Sequence, residues 1–417
     1  MPYGLEWLKR KLTQKQTRVN LRYRYYEMKN FVPEISNMLP ASFRNVARSL
    51  GWCAKAVDSL ADRLSFLEFS NDGGNLTEIF RLNNQDILTD SAVSSALISA
   101  CSFIFIELDE NGFPRLQVID GANATGEIDP VTMLLTEGYA VLERDARTDK
   151  PILEGYFLPN VTYYFRNGAL DESLTLHHKA PFPLLVPIVN RPDAKRPFGH
   201  SRISRSCMDC VQTVIRTLRR SEVSSEFYSV PQKYILGLSG EAEEKFDKEK
   251  ATISSLLYFG KDEEGDKPTM GQFQIQSMTP FVDQMKMLAS VFAGETGLTL
   301  DDLGFSTDNP ASSEAIKASH ENLRLTAWKA QQTFATGFLN AGFLSACLRD
   351  NYTYQRSAFA GTQAEWMPIF EPDASALGGI GDAILKINQA SPDFMGARNI
   401  RALTGLSSDA GGENNGF

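Results

Sequence analysis

Residues 294–324 read GETGLTLDDLGFSTDNPASSEAIKASHENLR and join an apolar loop to the longest helix predicted for this chain. The loop spans 297–310 and begins at a glycine. Asn309 as an N-cap and Pro310 at the first helical position predict where the helix starts. The helix is expected to run to about Asp350, with apolar residues at helical spacing along its buried side. These residues are Ile316, Leu323, Ala327, Phe334, Phe338, Ala341 and Leu348.

The loop is unusual because large apolar side chains alternate with acidic ones. Its apolar members are Leu298, Leu300, Leu303 and Phe305, and its acidic pair is Asp301-Asp302. Apolar side chains of this size are costly to leave in water. Spacing alone therefore favours a loop whose apolar residues pack into a local core. The alternative is a loop that contacts a ligand by shape, with apolar and acidic groups that attract phosphate only weakly.

Two further predicted helices precede the loop and bracket a small module. The first covers 201–229 and the second covers 281–296, each with apolar residues along one face. The segment 231–280 between them mixes short β-rich runs, an acidic helix and the charged turn KDEEGDKP. The pattern predicts an independent module held between two helices.

The first third of the chain is predicted to be helical. The segment 1–17 is amphipathic, and the aromatic-basic run LRYRYY follows it and is closed by Pro33. Ser42 is a candidate N-cap for a helix to about Leu67, and a further helix is expected over 75–101.

The region 102–189 has the pattern of an antiparallel sheet. Its β-rich runs alternate with turn signals, and Asn111-Gly112 and Asn167-Gly168 predict hairpins because both residue types tolerate positive φ. The proline-rich stretch 181–192 is expected to leave the sheet, since proline fits neither a central strand nor a helix. An edge-like region and a helical tail at 382–403 complete an α+β, mainly helical chain.

Composition limits the classes of protein that this chain can belong to. It has 417 residues, 42% of them hydrophobic and 22% charged, which is typical of a globular protein of two to four domains. It contains neither a run of about 18 apolar residues nor a signal-peptide pattern at the N-terminus. Its five cysteines predict free thiols in a reducing compartment. The net charge of −9 indicates a protein that does not grip nucleic acid tightly.

The order of these segments resembles the portal proteins of long-tailed bacteriophages over most of the chain. The most specific piece is the 294–324 stretch. Shorter pieces are RYRYYEMKNF (22–31), VPIVNRPD (186–193) leading into GHSRIS (199–204), and VPQKYILG (230–237). The chain departs from the family pattern at Met28, because related sequences often have glycine after Tyr-Tyr-Glu.

The resemblance implies the architecture of a dodecameric ring at one capsid vertex. Its parts would be an α/β wing (1–199), a stem helix (200–229), a small α/β clip (230–280), a second stem helix (281–297), a tunnel loop (298–310), a long wing helix with a strand region (311–371) and a short helical crown with a mobile tail (372–417). The ring would be assembled in the bacterial cytoplasm and become part of the virion. Double-stranded DNA would pass through it non-specifically during packaging and ejection.

The resemblance also implies roles for particular residues. The tunnel-loop residues Leu298, Thr299, Leu300, Asp301, Asp302 and Leu303 would line the DNA channel. Arg216, Arg219 and Arg220 could face DNA from the stem, although arginines at such spacing more often form solvated or paired faces. Lys261, Asp262, Glu263 and Glu264 in the clip would dock the terminase large subunit and then the head-completion adaptor. The major capsid and scaffolding proteins are further expected partners. The chain is not expected to bind a membrane.

Two other functions are compatible with parts of the sequence. A metal-dependent nuclease or phosphoesterase could use the acidic pairs Asp301-Asp302 and Glu263-Glu264, and another minor capsid protein would share the structural class. The chain has no phosphate-binding loop of an ATPase. The lone Cys207-x-x-Cys210 lacks partner ligands, and His177-His178 would point to opposite faces of a strand. The sequence therefore predicts no enzyme, no cofactor and no metal.

Overall fold

A computed structural model describes residues 3–32, 48–229, 233–236, 269–272, 277–305, 318–370, 372, 374–392 and 394–406. The chain divides into two compact units. The first comprises 1–30, 51–208 and 293–417, and the second comprises 31–50 and 209–292. The starts of the helices predicted at Ser42 and Asn309 lie outside the described residues, as does the tail from 407.

The N-terminal part of the first unit is mostly helical, but its helices end differently from the prediction. Its elements are α1 (Leu5–Tyr26), α2 (Trp52–Ala61), β1 (Phe66–Ser70), α3 (Leu76–Leu82) and α4 (Gln85–Ser99). The helix expected to reach Leu67 ends at Ala61, because 66–70 pairs with a distant strand near the C-terminus. The helix expected over 75–101 is interrupted at Asn84, whose φ is +52°.

The end of α1 adopts a left-handed turn at Met28. The N–H of Lys29 donates to the carbonyl of Arg24 at 2.8 Å, and the N–H of Met28 donates to that of Tyr25 at 3.4 Å. This is the hydrogen-bond pattern of a Schellman motif, which normally has glycine at the left-handed position. Met28 occupies that position with φ of +58°. The departure from the family pattern therefore lies at a residue whose backbone favours glycine.

The predicted antiparallel sheet region is confirmed as two sheets. One has the order β3-β2-β9 and the other β4-β5-β6-β7-β8, and every pair in them is antiparallel. The strands are β2 (Cys101–Leu108), β3 (Pro114–Ile119), β4 (Ala124–Ile128), β5 (Leu135–Arg144), β6 (Pro151–Leu158), β7 (Val161–Arg166), β8 (Ala169–His177) and β9 (Leu185–Val189).

The turn signals and the proline-rich stretch gave different outcomes. Asn167 and Gly168 have φ of +49° and +82° and join β7 to β8, as expected for an Asn-Gly hairpin. The expectation that 181–192 leaves the sheet was wrong for 185–189. That segment is β9, an edge strand in which Pro187 stands opposite Phe103 of β2. An edge position leaves one side of the strand without a ladder, so the missing N–H of proline is tolerated.

The core of the first unit lies where the long helix meets the sheet and the N-terminal helices. This helix, α7 (Glu321–Arg349), buries Phe334, Phe338 and Ala341 completely, as its spacing predicted. Phe338 packs against Phe66 and Phe80, with ring centroids 5.6 and 6.0 Å away. The strand β12 (Gln363–Trp366) pairs with β1, and two helices follow, α8 (Ala374–Ala390) and α9 (Ala397–Thr404).

Two helices contribute most of their length to the second unit. These are α5 (Arg205–Ser229) and α6 (Thr279–Thr296), and the short antiparallel pair β10 (Lys233–Leu236) and β11 (Thr269–Gln272) lies between them in sequence. The helix predicted from 201 begins instead at Arg205, because the Ser204 hydroxyl accepts the N–H of Cys207 at 3.1 Å and caps it. None of the described helices has the length and apolar character needed to cross a bilayer.

Candidate functional site

The apolar residues of the 297–305 loop are largely packed within their own chain. Leu298 and Leu303 are only 6% and 8% exposed. Phe305 meets the ring of Trp52 edge to face, with centroids 6.4 Å apart. For Leu298 and Leu303 the local-core interpretation therefore fits, and burial offsets the cost of placing apolar side chains in a loop.

The two aspartates of the loop differ in their contacts. The Asp302 carboxylate accepts the N–H of Thr299 at 2.9 Å and its hydroxyl at 2.8 Å. His320 Nδ1 lies 3.8 Å from the same carboxylate. Asp301 is exposed and makes none of these contacts. Asp302 thus fixes the turn at Asp301–Leu303, while the side chain of Asp301 is exposed to solvent.

A buried arginine anchors the helix end from which the loop departs. Arg202 donates through Nη2 to the carbonyl of Thr296 at 2.7 Å, and through Nε to the carbonyl of Ala56. Burial lowers the pKa of its guanidinium to about 10. A cation at the last carbonyl of a helix is favoured by the helix dipole. The loop therefore starts from a fixed point at the end of α6.

The segments 186–193 and 199–204 are joined by hydrogen bonds between Asn190 and His200. The Asn190 side chain donates to the carbonyl of His200 at 2.7 Å, and the N–H of His200 donates to the carbonyl of Asn190 at 2.8 Å. Gly199 has φ of +72°, and a Cβ there would lie 2.1 Å from the Asn190 carbonyl oxygen. Only glycine fits this position, and this explains the start of GHSRIS in physical terms.

The arginines expected in the stem differ in their surroundings. Arg219 donates to the carbonyl of Val32 at 3.1 Å, so its guanidinium is used within the second unit. Arg216 and Arg220 are exposed. The charged residues expected at the clip, Lys261, Asp262, Glu263 and Glu264, lie outside the described residues.

The described part of the chain holds no group of three or more His, Cys, Asp or Glu side chains that could bind a metal ion. Cys207 and Cys210 are buried on α5, and burial raises the pKa of the Cys207 thiol. His178 is buried at the end of β8, whereas His177 is exposed. The strand β8 ends at His177, so the prediction that both histidines lie in a strand holds for His177 and not for His178.

A basic cavity of about 910 Å³ in the first unit was missed by sequence reasoning. Its cations are Lys11, Lys15, Arg18, Arg22, Arg196 and Arg205. The first four lie at spacings of four, three and four residues along α1, which places them on one helix face. That spacing is visible in the sequence, but an amphipathic pattern predicts only a polar helix face and does not show that a cavity lies beside it.

Comparison with curated proteins gives two related sequences. The chain is 26% identical over 322 residues to the portal protein of Mycobacterium phage D29, an alignment that covers 72% of this chain and 65% of that protein. It is 25% identical over 321 residues to the portal protein of Mycobacterium phage L5, with the same coverage. The resemblance to phage portal proteins is confirmed. The chain spans 65% of the length of these curated relatives.

Comparison with solved structures gives matches to gene transfer agent (GTA) particles. One is the virion of the native GTA particle, with a TM-score of 0.45, 15% identity and coverage of 85% of this chain and 90% of that one. Another is the neck of the native particle computed with C12 symmetry, with a TM-score of 0.46 and the same identity and coverage. No protein-family model matches the chain.

Proposed function

We propose that this chain is the subunit of a portal ring, a passive conduit for double-stranded DNA at one vertex of a phage capsid. The observation that carries the proposal is the sequence relation to two phage portal proteins over 72% of the chain. The order of elements supports it, because α6, the loop and α7 follow one another as the resemblance implies.

The parts of the subunit follow from this proposal. Residues 1–199 and 311–371 form the wing, 200–229 and 281–297 form the stem around the clip at 230–280, and 372–417 form a short crown. The ring contains many identical copies, twelve by the resemblance. A ring subunit repeats one lateral contact around an axis, so a single interface closes the assembly.

In this ring the loop at 298–310 faces the DNA. Asp301 is its exposed charge and Asp302 maintains its turn. A carboxylate in the channel repels phosphate and adds no salt-sensitive affinity, so DNA can slide. Arg216 and Arg220 are exposed cations on the stem, and they offer weak compensating attraction.

The clip is the docking site for other proteins in this proposal. Lys261, Asp262, Glu263 and Glu264 would meet first the terminase large subunit and then the head-completion adaptor. The capsid and scaffolding proteins would contact the wing. These partners follow from the portal assignment.

The decisive functional test is to assemble capsids with and without this chain. Capsids that contain it should take up DNA when terminase and ATP are supplied, and capsids assembled without it should remain empty. Equal DNA uptake by both kinds of capsid would contradict the proposed function.

Nothing in the described residues favours the nuclease hypothesis. The Asp302 carboxylate already accepts two hydrogen bonds from Thr299, and the described residues hold no group of three or more His, Cys, Asp or Glu side chains that could bind a metal ion. The double substitution Asp301→Ala with Asp302→Ala separates the two hypotheses. Hydrolysis of DNA by the unmodified chain that the substitution abolishes would support an enzyme.

A further inference from the structure

The basic cavity on α1 combines several cations with little compensating charge. The residues that line it include six lysines and arginines and no aspartate or glutamate. Lys11 is paired, because its Nζ contacts the Glu127 carboxylate. Arg18, Arg22 and Arg205 form no ion pair within the described residues. A chain with a net charge of −9 thus concentrates unpaired positive charge in one place.

Assembling these cations works against the stability of the fold. Burial lowers the pKa of the Arg22 guanidinium, and the neighbouring Arg18 and Arg196 lower it further. Burial also lowers the pKa of Lys15, whose Nζ donates to the carbonyl of Ala124. Unpaired, partly desolvated cations are costly, so such a cluster is expected where an anionic ligand supplies the missing charge.

The shape of the cluster indicates what kind of anion fits. Lys11, Lys15, Arg18 and Arg22 occupy successive turns of α1 and extend over about 16 Å at the rise of an α-helix. The cavity, at about 910 Å³, is far larger than one phosphate ion needs. A line of cations about one helical turn apart matches a chain of regularly spaced charges better than a single anion. Arginine forks also suit phosphate oxygens, which they can bind through two parallel N–H groups.

The two lysines of the cavity lie over aromatic rings. Lys11 lies over the ring of Phe198 at 5.1 Å, and Lys15 lies over Phe103 at 5.1 Å. These contacts hold the two ammonium groups in place, whereas Arg18 and Arg22 form no ion pair within the described residues. The cavity is therefore built to present positive charge to a ligand at its mouth.

We propose that this cavity, which α1 and the first turn of α5 line together, binds the phosphodiester backbone of nucleic acid at a site separate from the loop at 298–305. Binding is independent of base sequence, because lysine and arginine reach phosphates and no group that reads base edges is required. The proposal does not depend on the ring, since all the lining residues belong to one unit of one chain.

The test is fluorescence anisotropy of the full chain with a labelled DNA duplex of arbitrary sequence, over a series of salt concentrations. The double variant Arg18→Gln/Arg22→Gln should bind roughly tenfold more weakly at low salt. The slope of log K against log salt should fall by about 2, because each phosphate contact contributes about 0.9. The charge-matched control Arg115→Gln/Arg147→Gln alters exposed residues outside the cavity and should leave affinity and slope nearly unchanged.

Three results would overturn the proposal. The first is no DNA binding by the unmodified chain at low salt, and the second is an equal loss in the control variant. The third is displacement of DNA by inorganic phosphate or polyglutamate at equal charge concentration, which would indicate a free-anion site or an acidic-peptide site instead. Thermal unfolding of both variants excludes misfolding as a cause. The cavity variant should unfold no earlier than the unmodified chain, because it loses repulsion between cations.

Discussion

Met28 carries backbone strain at the end of α1 that glycine would relieve. A left-handed conformation costs a non-glycine residue about 1–2 kcal/mol, and the greater freedom of glycine in the unfolded chain cancels part of the gain. We expect Met28→Gly to raise the free energy of unfolding by about 0.5–1 kcal/mol, measured by urea denaturation. Met28→Ala keeps the strain, because alanine also carries a Cβ atom. An alanine variant more stable than the glycine variant would refute this account of the turn.

His178 should make the stability of the fold depend on pH. Burial lowers its pKa from 6.5 to about 4, so the folded state holds the neutral form. Its Nδ1 accepts the N–H of Ala180 at 3.2 Å. The contribution is complete above pH 6.5 and is lost as the pH falls towards 4, up to a limit of ~3 kcal/mol.

The matched pair His178→Gln and His177→Gln tests this dependence. We expect the His178 variant to lose much of the fall in unfolding midpoint between pH 6.5 and 4, and the His177 variant to keep it. Parallel pH profiles for the two variants would show that His178 is not responsible.

At the scale of elements, substitution of the two aspartates in the loop after α6 should change the stability of the fold by different amounts. Asp302→Ala removes the carboxylate oxygen that accepts both Thr299 hydrogen bonds and should destabilise the fold by about 1–2 kcal/mol. Asp301→Ala removes an exposed charge and should stay within about 0.5 kcal/mol of the unmodified chain. Chemical denaturation of the two variants measures the difference. Equal losses would mean that Asp302 does not hold the turn.

The same loop gives a functional prediction that rests on the proposed portal. Asp301→Lys places a cation where DNA is proposed to slide, and a cation binds phosphate in a salt-sensitive way. We expect rings to form normally and DNA packaging to slow, with partial recovery at higher salt. Arg220→Glu on the stem is the comparison variant, because it changes the charge in the opposite direction to Asp301→Lys. Normal packaging rates for Asp301→Lys would remove the loop from the mechanism.

The sequence predicted elements well where local patterns determine them. The hairpin at Asn167-Gly168 and the buried face of α7 follow from turn chemistry and from helical spacing. Prediction from the sequence failed at β1 and β9, because each strand is determined by a partner distant in sequence. The partner of β1 is β12, and the partner of β9 is β2. For the site, the loop and its acidic pair were identified, but the division of roles between Asp301 and Asp302 depends on a hydrogen bond that spacing does not reveal.

At the scale of the whole molecule, net charge and local charge point in different directions. The overall charge of −9 suits a channel that lets DNA slide. The cavity on α1 gathers six cations that an average over the chain conceals. The two observations are compatible if the loop lets DNA pass and the cavity binds it. Charge-matched variants in the loop and in the cavity distinguish these two roles.

The central claim is that many copies of this chain stand side by side around a DNA channel, and electron microscopy of the purified full-length chain tests it most directly. We expect closed rings with a central hole wide enough for a DNA duplex and with residues 298–305 at its narrowest point. Particles that remain monomeric at high concentration, or rings whose 298–305 loops lie away from the hole, would contradict it.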